Sequence, residues 1–380
     1  MAATVERDLV SGNRLTALGA LAAGCRFFSG YPITPSSEIY QTMMEELPRR
    51  DGLAVAAPDE ISALANCVGA SMSGFKAMTA TSGPGWALMS ETVQYALMTE
   101  TPVVIALVQR LGPSTGGATQ GGQGDVLLAE FCTSGGYTVP MFAPSNAREC
   151  YELTQRAFHW AERLRTPVVL LSDKEVGMTL ESVEMASLTD LPHIARAPFT
   201  GAQRYRPYAC ELIDEPPAFA PVGGPVKVVA TGSAHDGDGR LRKNSPEVIE
   251  LLLHLQAKVA SHTDEMALVH SEPVWDADTL VISYGISARA AREACRRLRL
   301  SGRGVSFLQL LTLFPVPITA VRRAAEGCSR VIVVEENLTG LYANALEAAW
   351  NGQRTKHVVR VNGIGNMITP TQVMDAVESA

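Results

Sequence analysis

Three residues of this chain have the type and setting to do chemistry: Glu60, Arg110 and Thr34. Glu60 heads a stretch of mostly small or apolar residues, Ile61 to Val68. A carboxylate in that place is either a helix N-terminal charge or a buried group that shares a proton with a ligand nitrogen. Arg110 comes just after the apolar run Pro102 to Val108. At the carboxyl end of a buried strand a guanidinium can hold a carboxylate through two hydrogen bonds; elsewhere it is a surface loop arginine. Thr34 lies in Tyr31-Pro32-Ile33-Thr34-Pro35, where the prolines restrict the loop. We place Thr34 at the N-cap of the next helix, Pro35 at its first position and Glu38 in its first turn. No nucleophile with a paired base stands beside them. A carboxylate, an arginine and a fixed threonine without a metal motif suit a host for a cofactor that carries its own chemistry.

These residues need elements to hold them. Residues 26–28 read as a strand broken by Ser29 and Gly30, and 36–47 as a helix. Residues 53–57 read as a buried strand, 61–75 as a helix and 76–81 as a strand. Ser82-Gly83-Pro84-Gly85 reads as a tight turn before a helix over 86–99, and 102–108 as a fully buried strand. A glycine-rich loop, 109–125, follows, with hydroxyls at Thr115 and Thr119. Strand, helix and strand continue over 136–139, 146–163 and 167–172. Such alternation implies an α/β fold built on a doubly wound parallel sheet, whose ligand crevice lies beyond the carboxyl ends of the strands. Loops 30–35, 58–60 and 109–125 are expected to meet there, with 82–85 on the same edge. Residues 191–225 hold seven prolines and read as an extended connector. Residues 226–272 are ambiguous, with a helix around 246–260. A second, smaller α/β unit begins near Thr279.

The 380 residues imply two domains, which we set at 1–190 and 273–380 with a connector at 191–272. A net charge of −7 without a basic run argues against nucleic acid or an anionic membrane as the main partner. No apolar run reaches the length of a membrane span, and the N-terminus lacks the pattern of a signal peptide, so the expected location is cytoplasmic. Seven cysteines occur without a CxxC pair, which suits buried thiols rather than zinc or an iron–sulfur cluster. His235, in the polar loop HDGDGR, reads as a loop residue first and a ligand second.

Five stretches carry a family resemblance. YPITPSSE at 31–38, DEISALANCVGAS at 59–71, TATSGPG at 79–85, TPVVIALVQRLGPSTG at 101–116 and VIVVEEN at 331–337 resemble the alpha subunits of 2-oxoacid:ferredoxin oxidoreductases. The resemblance implies a thiamine-diphosphate pyrimidine-binding domain followed by a transketolase C-terminal-like domain. It implies that Glu60 hydrogen-bonds the aminopyrimidine, that the carbonyl of Pro32 touches the same ring, and that Tyr31, Thr34 and Arg110 meet the 2-oxoacid carboxyl. Thr119 matches the position that meets a second carboxylate in 2-oxoglutarate enzymes. The implied reaction is oxidative decarboxylation of 2-oxoglutarate with coenzyme A, electrons leaving to ferredoxin. Pyruvate or a branched-chain 2-oxoacid is the alternative substrate, and a non-catalytic nucleotide-binding or assembly subunit the alternative class. The diphosphate site, Mg2+ and a [4Fe-4S] cluster are expected in a beta subunit, with a possible separate gamma-type subunit and an (alpha-beta)2 assembly; no metal site is expected in this chain. Leu111 and Gly116-Gly117-Ala118 depart from the common wording of the glycine loop, which bears on substrate choice.

Overall fold

The computed structural model describes residues 7–350 and 357–379. The start of the N-terminal stretch read for a leader, residues 1–6, lies outside the described residues, as do 351–356 and 380. The first half runs β1 (Asp8–Ser11), α1 (Gly12–Ala22), β2 (Phe27–Gly30), α2 (Ser37–Glu46), β3 (Leu53–Ala56), α3 (Glu60–Met72), β4 (Ala77–Thr81) and α4 (Gly83–Met98). It continues through β5 (Val103–Gln109), α5 (Val126–Glu130), β6 (Met141–Phe142), α6 (Ala147–Leu164), β7 (Pro167–Asp173), α7 (Lys174–Met178) and β8 (Leu180–Val183). After the connector come α8 (Pro246–Ala260), α9 (Thr263–Met266), β9 (Val269–Glu272), β10 (Thr279–Ser283), α10 (Ser287–Leu300), β11 (Ser306–Leu310) and β12 (Thr312–Phe314). The chain closes with α11 (Ile318–Ala324), β13 (Arg330–Glu335), α12 (Leu341–Trp350), β14 (His357–Asn362) and α13 (Pro370–Glu378).

The main sheet has seven strands in the order β12-β6-β7-β5-β4-β2-β3, parallel except for β12. Its central strands β5 and β7 are buried along their whole length, which is why their sequences are near-continuous Val and Leu. Helices α1, α2 and α6 pack on one face through Ala17, Ile39, Met43, Leu153 and Phe158. Helices α3 and α4 cover the other through Ala63, Leu64, Trp86, Met89 and Val93. The chain leaves β2 outward to β3, then returns past β2 to β4 and moves on to β5. The direction of winding reverses between β2 and β4, and a doubly wound sheet opens its crevice at that reversal. The loop after β2 carries Tyr31 to Pro35, and the turn after β4 leads directly into α4. A second sheet, β14-β13-β10-β11-β9, is parallel except for edge strand β9.

Several local expectations need correction. The helix after β2 starts at Ser37 with Ser36 at its N-cap, not at Thr34 and Pro35. The Thr34 carbonyl accepts from Arg110 and that of Pro35 from the Asn13 side-chain amide at 2.9 Å, while the first helical acceptor is the Ser36 carbonyl, taking the Ile39 N–H at 3.0 Å. The 82–85 segment is no separate turn: Ser82 is the N-cap of α4, which begins at Gly83 with Pro84 in its first turn. Strand β2 includes Ser29 and Gly30 instead of ending before them. Strand β3 is half-exposed because it is the sheet edge, with β2 its one neighbour. The strand expected at 136–139 lies at β6 instead, since Gly135 and Gly136 both take positive φ, 92° and 76°.

Between β8 and α8 the chain has no regular element beyond the short 3-10 turn Met185–Ser187 and isolated bridges such as Pro198 with Phe219 and His235 with Leu241. It is tied down by polar anchors. Arg196 pairs with Glu162 at 2.9 Å, both buried, and Arg165 donates to the Pro217 carbonyl at 2.8 Å. His235 is buried rather than a free loop residue, its ring 4.0 Å from that of Tyr208.

Candidate active site

The N-terminus of α4 is the centre of the site, with one carboxyl on each side. Glu60 is the first residue of α3, whose cap is Asp59, accepting from the Ser62 N–H at 2.7 Å. Its side chain is 7% exposed and lies against Gly85. A Cβ on Gly85 would stand 2.6 Å from Glu60 Cγ and 2.2 Å from Thr81 Oγ1, so only glycine permits this approach. Among the described residues nothing donates a hydrogen bond to the Glu60 carboxyl.

Asp125, at the end of the glycine-rich loop, sits on the other side. A Cβ on Gly83 would lie 2.6 Å from its Oδ1. Its backbone N–H donates to Gln109 Oε1 at 3.2 Å, while its carboxyl accepts from no described residue. Burial raises its pKa to about 6 against the opposing pull of Arg110. Arg110, 6% exposed, follows β5. Its guanidinium donates to the Thr34 carbonyl and, at 3.1 Å, to the Thr115 carbonyl, and its buried Nε has no partner. Arg110 thus joins the loop after β2 to the glycine-rich loop. The Ala57 N–H, donating to the Gly30 carbonyl at 2.9 Å, sets the 58–60 segment beside them.

The second half closes the crevice. A cavity of about 430 Å³ is bounded by Gly83, Pro84, Arg110 and Asp125 on one side and by Glu336 and Asn337 on the other. The Glu336 carboxyl accepts from the Ile368 N–H at 3.0 Å, and burial raises its pKa to about 7. Of the residues singled out in the sequence, Arg110 lines this cavity. Glu60 faces the opposite flank of α4. Tyr31, Pro32 and Thr34 are exposed on the adjoining loop, where Thr34 contributes its carbonyl, and Thr119 is exposed on the glycine-rich loop. Asp125 and Glu336 were missed. Asp125 is the one acid in the 109–125 loop, a signal that was present. Glu336 stands in the run VIVVEEN, but nothing in that run shows that its carboxyl is buried against the cavity. No group of three or more His, Cys, Asp or Glu among the described residues could hold a metal ion.

A doubly wound sheet with an unpartnered carboxyl at its switch point, joined to a second parallel sheet, defines an α/β subunit with a ligand crevice of the cofactor-binding kind. The family described as pyruvate flavodoxin/ferredoxin oxidoreductase, thiamine diphosphate-binding, matches residues 18–252, and pyruvate:ferredoxin oxidoreductase core domain II matches 277–373. The chain belongs to this family of 2-oxoacid:ferredoxin oxidoreductases. It is 38% identical over 361 residues to the 2-oxoglutarate synthase subunit KorA of Methanothermobacter marburgensis, covering 94% of this chain and 95% of the relative. It is 37% identical to KorA of Archaeoglobus fulgidus, covering 98% and 99%. Among solved structures, 2-oxoglutarate:ferredoxin oxidoreductase from Magnetococcus marinus, with 2-oxoglutarate, coenzyme A and succinyl-CoA bound, superposes with a TM-score of 0.92 at 32% identity. That match covers 98% of this chain and 65% of the Magnetococcus chain. A split-gene transketolase, at a TM-score of 0.53 and 14% identity, shares the fold. The residues present suit the pyrimidine end of the cofactor: a nearly buried, unpartnered carboxyl beside a helix N-terminus is what a protonated ring nitrogen needs.

Proposed function

We propose that this chain is the alpha subunit of a thiamine-diphosphate-dependent 2-oxoglutarate:ferredoxin oxidoreductase. The reaction converts 2-oxoglutarate and coenzyme A to succinyl-CoA and CO2, with two electrons passed to ferredoxin. The observation that carries this reading is the near-full-length likeness to the Magnetococcus enzyme, which holds 2-oxoglutarate, together with the end-to-end match to KorA subunits. When bound, thiamine diphosphate supplies the means to cleave the bond to the substrate's 1-carboxyl. Glu60 holds the proton at the pyrimidine nitrogen, and the Pro32 carbonyl orients the ring. Arg110, Thr34 and Tyr31 seat the 2-oxoacid carboxyl, and Thr119 meets the distal one. In this reading residues 1–190 form the pyrimidine domain, 191–272 the connector and 273–380 the transketolase C-terminal-like domain. A beta subunit holds the diphosphate, Mg2+ and a [4Fe-4S] cluster. A gamma-type subunit is a further partner, the assembly is (alpha-beta)2 and it works in the cytoplasm. Among the described residues no helix is long and apolar enough to cross a membrane.

A branched-chain substrate is the second reading, supported by 32% identity to the ketoisovalerate oxidoreductase subunit VorB of Methanothermobacter thermautotrophicus over 97% of both chains. The test is co-expression with the beta-type chain and viologen reduction on 2-oxoglutarate, pyruvate and 2-oxoisovalerate. The expected result is a clear preference in kcat/KM for 2-oxoglutarate; preference for another acid overturns the substrate assignment. Glu60→Gln is expected to lower kcat by about 10²–10⁴-fold while the complex still assembles on a sizing column.

A further inference from the structure

The cavity at the α4 N-terminus contains a carboxyl that the roles above leave unused. Asp125 is 8% exposed and accepts no hydrogen bond from any described residue. A buried, unpaired carboxylate costs free energy, and folded proteins rarely keep one without a partner to come. Its neighbour Arg110 has the complementary lack, a buried Nε with nothing to donate to. Both line one cavity, whose remaining walls are largely Gly, Pro and Leu. A ligand carboxylate fits that pair of needs if one oxygen accepts from Arg110 and the other faces Asp125. Two carboxylates side by side repel, so such a neighbour must be neutralised by a proton, which turns Asp125 from an acceptor into a donor.

Resting on the reading of Arg110 as the seat of the 2-oxoacid carboxyl, we propose that Asp125 is a positioning residue for that carboxyl and that seating it draws one proton onto Asp125. The other charges around Asp125 are Arg110 on its own loop, Glu60 across α4, Glu336 across the cavity, Glu130 on α5, Asp173 through Gln109, and Glu175, which abuts Gly121. Of these charges Arg110 is the one that acts on Asp125, so what favours the protonated form once the anion is in place is burial together with the anion itself. Free Asp125 is near its midpoint at about pH 6, burial being the main cause and Arg110 opposing. Below that pH it already carries the proton and binding is independent of pH. Above it, binding must take the proton from solution, and KM rises by about tenfold per pH unit.

The test uses the complex with its beta chain and thiamine diphosphate. Calorimetry of N-oxalylglycine, an unreactive isostere of 2-oxoglutarate, at pH 7 in two buffers of unlike ionisation heat counts the protons taken up. The wild-type complex is expected to take up about one proton. Asp125→Asn, which keeps a donor and loses the titration, is expected to take up none and to show a KM flat in pH and at or below the wild-type value. Glu336→Gln is expected to keep the wild-type count. Binding of the isostere to wild type without proton uptake overturns the inference, as does uptake that persists in Asp125→Asn or vanishes in Glu336→Gln. The wild-type count needs no variant to fold. Failure of the isostere to bind removes the Arg110 reading and this inference together. A substrate preference other than 2-oxoglutarate, seen in the viologen assay, leaves the proton count on the shared 2-oxoacid carboxyl to stand by itself.

Discussion

Arg110 both closes loops and presents a charge. Each of its two terminal nitrogens gives one hydrogen bond, to the Thr34 and Thr115 carbonyls, and its buried Nε has no partner, so donors remain for a ligand. A planar guanidinium can serve three directions at once, whereas a lysine ammonium on a narrower reach cannot span both carbonyls and still face a ligand. Arg110→Lys is therefore expected to raise KM for the 2-oxoacid more than it lowers kcat. It is also expected to cost about 1–3 kcal/mol of stability, because the Thr34 or Thr115 carbonyl loses a charged donor. Steady-state kinetics and a thermal melt of the same preparation measure the two effects, and an unchanged KM removes Arg110 from the substrate. Gly85 makes a similar point from the opposite side of α4. A methyl group there meets Glu60 Cγ at 2.6 Å, so its constraint is imposed by the Glu60 side chain and not by backbone angle.

Helix α4 is pinned at both ends, by the site at its start and by an ionic cluster just past its end. Glu100, fully buried with a φ of 47°, accepts from Lys258 Nζ at 2.7 Å and from His254 Nε2 at 2.9 Å, both on α8. Burial pushes the Glu100 pKa up, but Lys258 and His254 outweigh it and hold it at about 2. Burial lowers the His254 pKa, but Cys210 and Glu100 outweigh it and raise it to about 9. The signs follow. The Glu100 contribution is complete above its usual 4.5 and is lost as pH falls toward about 2. The His254 contribution is complete below its usual 6.5 and is lost as pH rises through about 9. The melting temperature is thus expected to fall from pH 6.5 to 9, and a His254→Asn variant to flatten that slope. Glu100→Ala strands a buried lysine and is expected to cost about 3–5 kcal/mol, read by chemical denaturation. None of this cluster was legible beforehand, because Glu100 stands in an ordinary helix-to-strand corner and its partners come from a helix more than a hundred residues on. Strands β5 and β7, by contrast, were legible from unbroken Val and Leu runs, a pattern that only burial on both faces explains. The start of α4 was misread because Gly-Pro-Gly has the composition of a turn. Here those glycines are demanded by the approach of Asp125 and Glu60.

At the scale of the whole chain, two of the junctions between the halves bear most on the site. Strand β12, from the second half, adds antiparallel to β6 at the edge of the main sheet, and residues of both halves, Trp86 and Ile105 with Tyr284 and Tyr342, share one core. The second junction is Gln123, fully buried next to the cavity. Its amide donates to Asp173 Oδ2 at 3.0 Å and to the Tyr284 carbonyl at 3.3 Å, and its oxygen accepts from Ser287 and from the Glu336 N–H, each at 2.8 Å. Burial raises the Asp173 pKa to about 7, and Gln123 and Gln109 are among the donors that oppose it. The same residue thereby fixes the glycine-rich loop, the end of β7 and the Glu336 wall of the cavity relative to one another. Gln123→Ala removes all four contacts and leaves buried donors and acceptors in both halves unpaired, at a cost of about 3 kcal/mol or more. Because β12 and the shared core remain, calorimetry is expected to show one transition at a lower temperature and not two. The loop that carries Asp125 also loses its anchor, so KM for the 2-oxoacid is expected to rise even at temperatures where the variant is fully folded. A variant with a lowered melting temperature and an unchanged KM would make Gln123 a stabilising contact alone; a rise in both identifies it as the residue through which the second half shapes the site.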